Sequence, residues 1–148
     1  MIGNEKFTEQ LAVVAKLDPK SQSAATVTSD YVDMAKIKKV IFILQTGVMG
    51  TSATVDMAIK GDTASGGSYT TTITDKSITQ LVKASNDNNI AVVEVSAAEV
   101  AAQGYRYIRA SVTVGTATSL VSLVALAGNL AYSSASENDL AAVVEIVA

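Results

Sequence analysis

The side chains able to do chemistry in this 148-residue chain are carboxylates, hydroxyls, amines and two guanidinium groups, because His and Cys are both absent. Without imidazole or thiol there is no Cys/His zinc site, no Ser-His-Asp or Cys-His unit, no thiol nucleophile and no disulfide. Two carboxylates facing each other across a cleft could still hydrolyse a glycosidic bond. The acidic residues are scattered, however, among them Asp30, Asp33, Asp56, Asp62, Asp75, Asp87, Glu94, Glu99 and Asp139. Of these, Asp62, Asp75 and Asp87 sit in turn-forming clusters, where Asp suits the backbone geometry. The run Asp87-Asn88-Asn89 is rich in oxygen but lacks the alternating ligands and bidentate Glu of an EF-hand, so it reads as a turn. Residues 61–68 carry Gly and Ser but no Gly-Lys-Ser/Thr ending, so they read as a surface hairpin and not a phosphate loop. The expectation is a non-enzymatic protein with no catalytic residue, cofactor or metal.

One constellation suggests binding. Tyr105, Tyr107 and Arg109 alternate along a stretch that reads as a strand, which places them on one face with Arg106 opposite. Tyr and Arg are favoured at binding hot spots, so this face could contact a partner protein or stack on a sugar. It could equally be a Tyr pair completing the edge of the core, with Arg109 in a salt bridge. Both readings stand at the level of sequence.

The elements that must position such a face are strands. Apolar content is 49% but aromatics only 5%, and the abundance of Val and Thr favours pleated, half-buried surfaces. Residues 54–60 alternate, with Val55, Met57 and Ile59 on one side; residues 105–114 alternate with Ile108, Ala110, Val112 and Val114 inward. Residues 40–44 and 120–130 are apolar on both faces and need cover on both sides. Shorter candidates cover 11–17, 25–32, 69–74 and 89–95. Turn clusters at 18–21, 47–50, 61–68, 85–89 and 115–116 separate them. Ser96 and Glu99 have capping-box spacing, predicting a short helix over 97–103 stopped by Gly104. A further helical turn is expected in 77–85, where Ile78, Leu81 and Val82 share a face. About eight strands spaced by turns imply an all-β fold, a jelly-roll-like antiparallel β-sandwich in one domain over 1–148.

Charge and the chain ends complete the reading. A formal net charge of -3 lacks the basic excess that neutralises phosphates, so no nucleic acid is expected. No apolar run reaches the roughly 18 to 20 residues of a membrane helix, and no secretory leader pattern is visible at the start. The first segment, about 1–8, and the last, about 133–148, are expected to be arms that lie against the sandwich or another subunit.

The order of segments resembles a known group. Ser29-Asp30-Tyr31-Val32-Asp33-Met34 leads into the 40–44 strand. Then come residues 47–55, Ile78-Thr79-Gln80-Leu81, and Gly104-Tyr105-Arg106-Tyr107-Ile108-Arg109. This pattern is similar to small head proteins encoded beside the major capsid protein in tailed bacteriophages, including capsid decoration, or cement, proteins. It also looks like galactose-binding-like jelly rolls of phage tail modules, but the absence of Trp and the presence of only two Phe depart from sugar-binding versions. The resemblance implies a virion protein on the capsid surface, made in the host cytoplasm. It would stabilise the shell by binding the major capsid protein as a homo-oligomer, dimer or trimer. A head-tail or tail component, or a carbohydrate-binding module, are the alternatives.

Overall fold

The computed structural model describes residues 6–132 and 134–148. In chain order the elements are α1 (Phe7–Gln10), β1 (Leu11–Gln22), β2 (Ala25–Thr28), β3 (Val32–Asp33), β4 (Ile37–Met49), β5 (Thr54–Asp62), β6 (Thr71–Ser77), β7 (Leu81–Val82), α2 (Lys83–Asn86), β8 (Ile90–Ser96), α3 (Ala97–Ala102), β9 (Tyr107–Gly115) and β10 (Ser119–Leu130). A 3-10 turn, Ala135–Glu137, follows.

The architecture is a long antiparallel hairpin rolled over on itself. Its rungs are β1 with β10, β2 with β9, β4 with β8, and β5 with β6. Successive rungs fall in opposite layers, giving one sheet in the order β1-β10-β4-β8 and a second in the order β2-β9-β5-β6. The two-residue strands β3 and β7 extend the second sheet by pairing with β9 and β5. This is the jelly-roll arrangement, and the expected all-β sandwich is what forms.

Alternation builds the core between the layers. In β5 the inward residues Val55, Met57 and Ile59 are fully buried, and in β9 so are Ile108, Ala110 and Val112. They face Val40, Phe42 and Leu44 of β4 and Leu123 of β10, all buried. Sheets packed face to face in this way bury each strand's inner residues about 10 Å from the opposite layer.

Several local expectations need correction. Residues 18–21 do not form a turn: Asp18 and Pro19 lie within β1, where the pairing register shifts between Leu17 and Lys20. Proline is tolerated in an edge strand at such a bulge, since no ladder hydrogen bond is lost there. The 47–50 turn starts only at Gly50, because β4 runs on to Met49. Residues 77–82 are not helical; Leu81 and Val82 pair with β5, and the helical turn comes after them as α2. The expected strand over 69–74 begins at Thr71. At α3 the expectation holds in detail. The Ser96 hydroxyl accepts from the Glu99 N–H, Glu99 accepts from the Ser96 N–H, and Gly104 follows at φ +80°.

Both ends of the described chain lie beside β1. Phe7 to Gln10 form a helical turn ahead of β1. Residues 134–140 fold back along β1, with Ala135 buried in the core, and the Leu140 N–H donates to the Val13 carbonyl (2.8 Å). Beyond residue 142 the chain adopts no regular structure. Residues 1–5 of the expected first arm, and residue 133, lie outside the described residues.

Candidate interaction surface

The predicted binding face is divided by the fold. Tyr107 and Arg109 do lie together on the outer side of β9, alternating with the inward residues Ile108 and Ala110. Tyr105 precedes the strand and packs against the core instead. Gly61 makes room for it: a Cβ there would meet the Tyr105 ring at 2.9 Å and Ile73 at 2.7 Å. Nor is Arg106 opposed to Tyr107; its guanidinium sits 5.0 Å from the Tyr107 ring centroid.

Arg106, not Arg109, makes the ion pair. Its Nε and Nη2 donate to the two carboxylate oxygens of Asp33 at 2.9 and 2.8 Å. That fork holds the Asp33 carboxyl below the usual carboxylate range. Tyr31 meets Tyr107 edge-on, with centroids 5.6 Å apart. Arg109 lies 4.2 Å from the ring centroid of Tyr69, and its buried Nε has no hydrogen-bond partner.

Tyr69, which the sequence reading did not single out, is the centre of this cluster, at only 3% exposure. It is held there by Asp62. The Asp62 carboxylate accepts from the N–H groups of Tyr69 (3.0 Å) and Ala64 (3.1 Å), and the Tyr69 hydroxyl donates to the Ser65 carbonyl (3.0 Å). These backbone donors keep the Asp62 carboxyl below its ordinary pKa. The 61–68 hairpin is thus an ordered clamp. Its signal was Asp three residues after the strand's last apolar position and ahead of a Gly-Ser run, an Asx-turn pattern. Sugar stacking needs an open ring face; Tyr69 is buried, and Arg106 lies over one face of Tyr107. Tyr31 and Arg106 remain exposed at the rim.

A second surface is larger and apolar. The two strands flagged as apolar on both faces, β4 and β10, are hydrogen-bonded neighbours in the middle of the four-stranded sheet. Register aligns their outward residues in rows: Val92, Ile43 and Val124 in one, Ile41 and Leu126 beside Glu94 and Val13 in the next, Ile90 with Gln45 and Ser122 in a third. Within these rows Ile90 is 60%, Val92 56% and Val124 42% exposed, with Leu120 at 45% farther along β10, while Ile41, Ile43 and Leu126 are half-buried. No described element lies over this face. A groove of about 360 Å³, lined by Pro19, Lys20, Gln45, Gly47, Leu120 and Ser122, continues it toward one end. Contiguous exposed apolar surface of this kind marks a place where something else packs.

The acidic turns are structural. Asp87 accepts from the Met49 N–H (2.9 Å) and pairs with Lys83, while the Thr46 hydroxyl ties the same loop to the carbonyls of Asn86 and Asn89. Glu99 bonds the Ser96 N–H and pairs with Lys76 of β6 (2.8 Å). Among the described residues, no group of three or more acidic side chains is placed to hold a metal.

No protein-family model and no curated protein matches the chain. Among solved structures, a chain from the infectious bursal disease virus Gt strain is similar at a TM-score of 0.38 and 12% identity, over 84% of this chain. The match spans only 37% of that neighbour's length. A likeness at this level does not carry function from one protein to the other, and the jelly roll itself hosts shell proteins, lectins and enzymes alike.

Proposed function

We propose that this chain is a non-enzymatic virion structural protein, a decoration protein that binds the major capsid protein and stabilises the shell of a tailed phage as an oligomer. The observation that carries the reading is the uncovered apolar outer face of the four-stranded sheet, centred on Val92, Ile43 and Val124. A protein that acts by adhesion requires a rigid scaffold and an apolar contact patch rimmed by polar groups. The sandwich supplies the first, and Lys39, Glu94 and Lys16 rim the second. The resemblance of the segment order to that of phage head proteins supports the same reading.

Copy number tests this directly. Quantitative staining or cryo-electron microscopy of purified virions is expected to find hundreds of copies on the head, and heads assembled without the protein are expected to rupture at lower stress. Tens of copies at the neck or tail would replace the decoration role with that of a head-tail or tail component. Heads of unchanged strength without the protein would remove the stabilising role.

A further inference from the structure

Of the four edges that the two sheets present, three are blocked. On β1, the Val13 N–H donates to Asp139 (2.6 Å), its carbonyl accepts from Leu140, and the Lys16 N–H donates to Asp30 (3.2 Å). The β2 and β3 edge is broken into pieces of four and two residues. On β6 the register shifts between Ala58 and Lys60, Asp75 has φ 60°, and the Thr74 N–H is capped by Gln103 (3.1 Å). Short pieces, bulges and caps are the usual defences of an exposed edge.

The fourth edge, β8, has none of these. It is seven residues long, unbulged, and pairs with β4 alone. The Thr46 N–H donates to the Asn89 carbonyl, which fixes the alternation: Ala91, Val93 and Val95 bond to β4, and the N–H and C=O groups of Ile90, Val92 and Glu94 point away. Ile90 and Val92 are also the most exposed residues of the apolar rows.

The chain carries a segment suited to this edge. Residues 143–147 read Val-Val-Glu-Ile-Val, nearly all β-branched, a composition that favours a strand. They adopt no regular structure, and Val144 and Val147 are 94% and 87% exposed. Six residues from 143 to 148 would extend about 20 Å, close to the length of β8.

Geometry decides whose edge it fills. The segment leaves from beside β1, where Leu140 is bonded to Val13 and the Val143 N–H to the Leu140 carbonyl (2.9 Å). The lane beyond β8 lies across the whole four-stranded sheet, five strand spacings or about 24 Å away. Ile146 is six residues past Leu140 and can reach about 21 Å at full extension, so these residues cannot lie along their own β8.

We infer that residues 143–148 of one copy add as a strand to the open edge of β8 in a second copy, through the main chain of Ile90, Val92 and Glu94. This deepens the oligomer part of the proposed function. Because donor and acceptor lie at opposite edges of one sheet, the contact is heterologous, the kind that closes as a ring when its rotation permits. Main-chain bonds would give affinity, and Val144 and Ile146 beside Ile90 and Val92 would extend the apolar face.

The test compares the full chain with a variant lacking residues 141–148, by sedimentation over a range of concentrations and by hydrogen exchange. The full chain is expected to self-associate and to protect the Ile90, Val92 and Glu94 amides. The truncated chain is expected to be monomeric, to exchange those amides at least tenfold faster, and to bind a labelled peptide of residues 141–148. Val92→Pro, which removes an outward N–H and leaves the β4 bonds, should weaken peptide binding at least tenfold; if this variant does not fold, the truncated chain still reports. A monomeric full chain with unprotected Val92, or an oligomer that survives truncation, overturns the inference. Shell binding by such a chain would leave the decoration reading standing.

Discussion

At the residue scale, the polar groups that look chemical are mostly braces. Arg109 illustrates this, since its guanidinium lies on the Tyr69 ring and is buried enough that one nitrogen lacks a partner. Arg109→Ala is expected to lower stability by about 1 kcal/mol, the worth of a partly desolvated cation-π contact, read by urea unfolding, with shell binding unchanged. A loss of binding at unchanged stability would instead make Arg109 an interface residue. Glu99 provides a pH signature. Its carboxyl is lowered from about 4.5 to about 2, first by Lys76 and then by the Ser96 N–H. A carboxyl depressed in the folded state binds fewer protons there than in the unfolded chain. Its contribution is therefore complete above pH 4.5 and is lost as pH falls toward 2. Taken whole, the shift corresponds to about 3 kcal/mol; with 45% of the side chain exposed, screening leaves about 1 kcal/mol. Glu99→Gln is expected to be less stable at pH 6 by that amount and to match the parent near pH 2, as measured by denaturation at both values.

At the scale of elements, what could be read from the sequence depended on whether local pattern or distant pairing set the outcome. The period-2 runs of β5 and β9 and the Ser96 capping box are local, and each forms where the pattern places it. The turn signal Asp18-Pro19-Lys20-Ser21 failed because β1 pairs across it with β10, a partner a hundred residues away. Tyr105 was misplaced for a related reason. Its alternation with Tyr107 is real in sequence, but the chain bends before β9, and the space left by Gly61 draws the ring inward. The two-faced apolar pattern of β4 and β10 was legible, while their adjacency was not, because pairing order is a property of the rolled hairpin. β4 is an interior strand of the four-stranded sheet, paired on both sides. Phe42→Ala at its fully buried centre is expected to cost 3–5 kcal/mol, roughly, while Val92→Ala on its exposed neighbour β8 should cost well under half as much. Similar losses for both in chemical denaturation would mean that the outer face is covered in the isolated chain.

At the scale of the whole molecule, the apolar outer face and the open edge of β8 are separate demands for cover. Strand addition satisfies main-chain groups at the edge, whereas the apolar face itself, from Val124 at its centre to Leu120 toward one end, still needs a partner that lies flat on it. Replacing these two residues separates the demands. Leu120→Lys with Val124→Lys points charge outward from residues that pack on nothing above them, so stability is expected to change by no more than about 0.5 kcal/mol per site. Self-association through residues 143–148 should persist, because neither residue lies on β8. Binding to purified capsid shells should fall at least tenfold, equivalent to about 1.4 kcal/mol, in co-sedimentation with heads stripped of the protein. Truncation after residue 140 should do the reverse, leaving the intrinsic contact and removing only the gain from multiple attachment, which linked copies enjoy without any new contact to the shell. Undiminished shell binding by the double lysine variant would move the proposed shell contact off this face and make the exposed Tyr31 and Arg106 on the opposite sheet the next surface to replace.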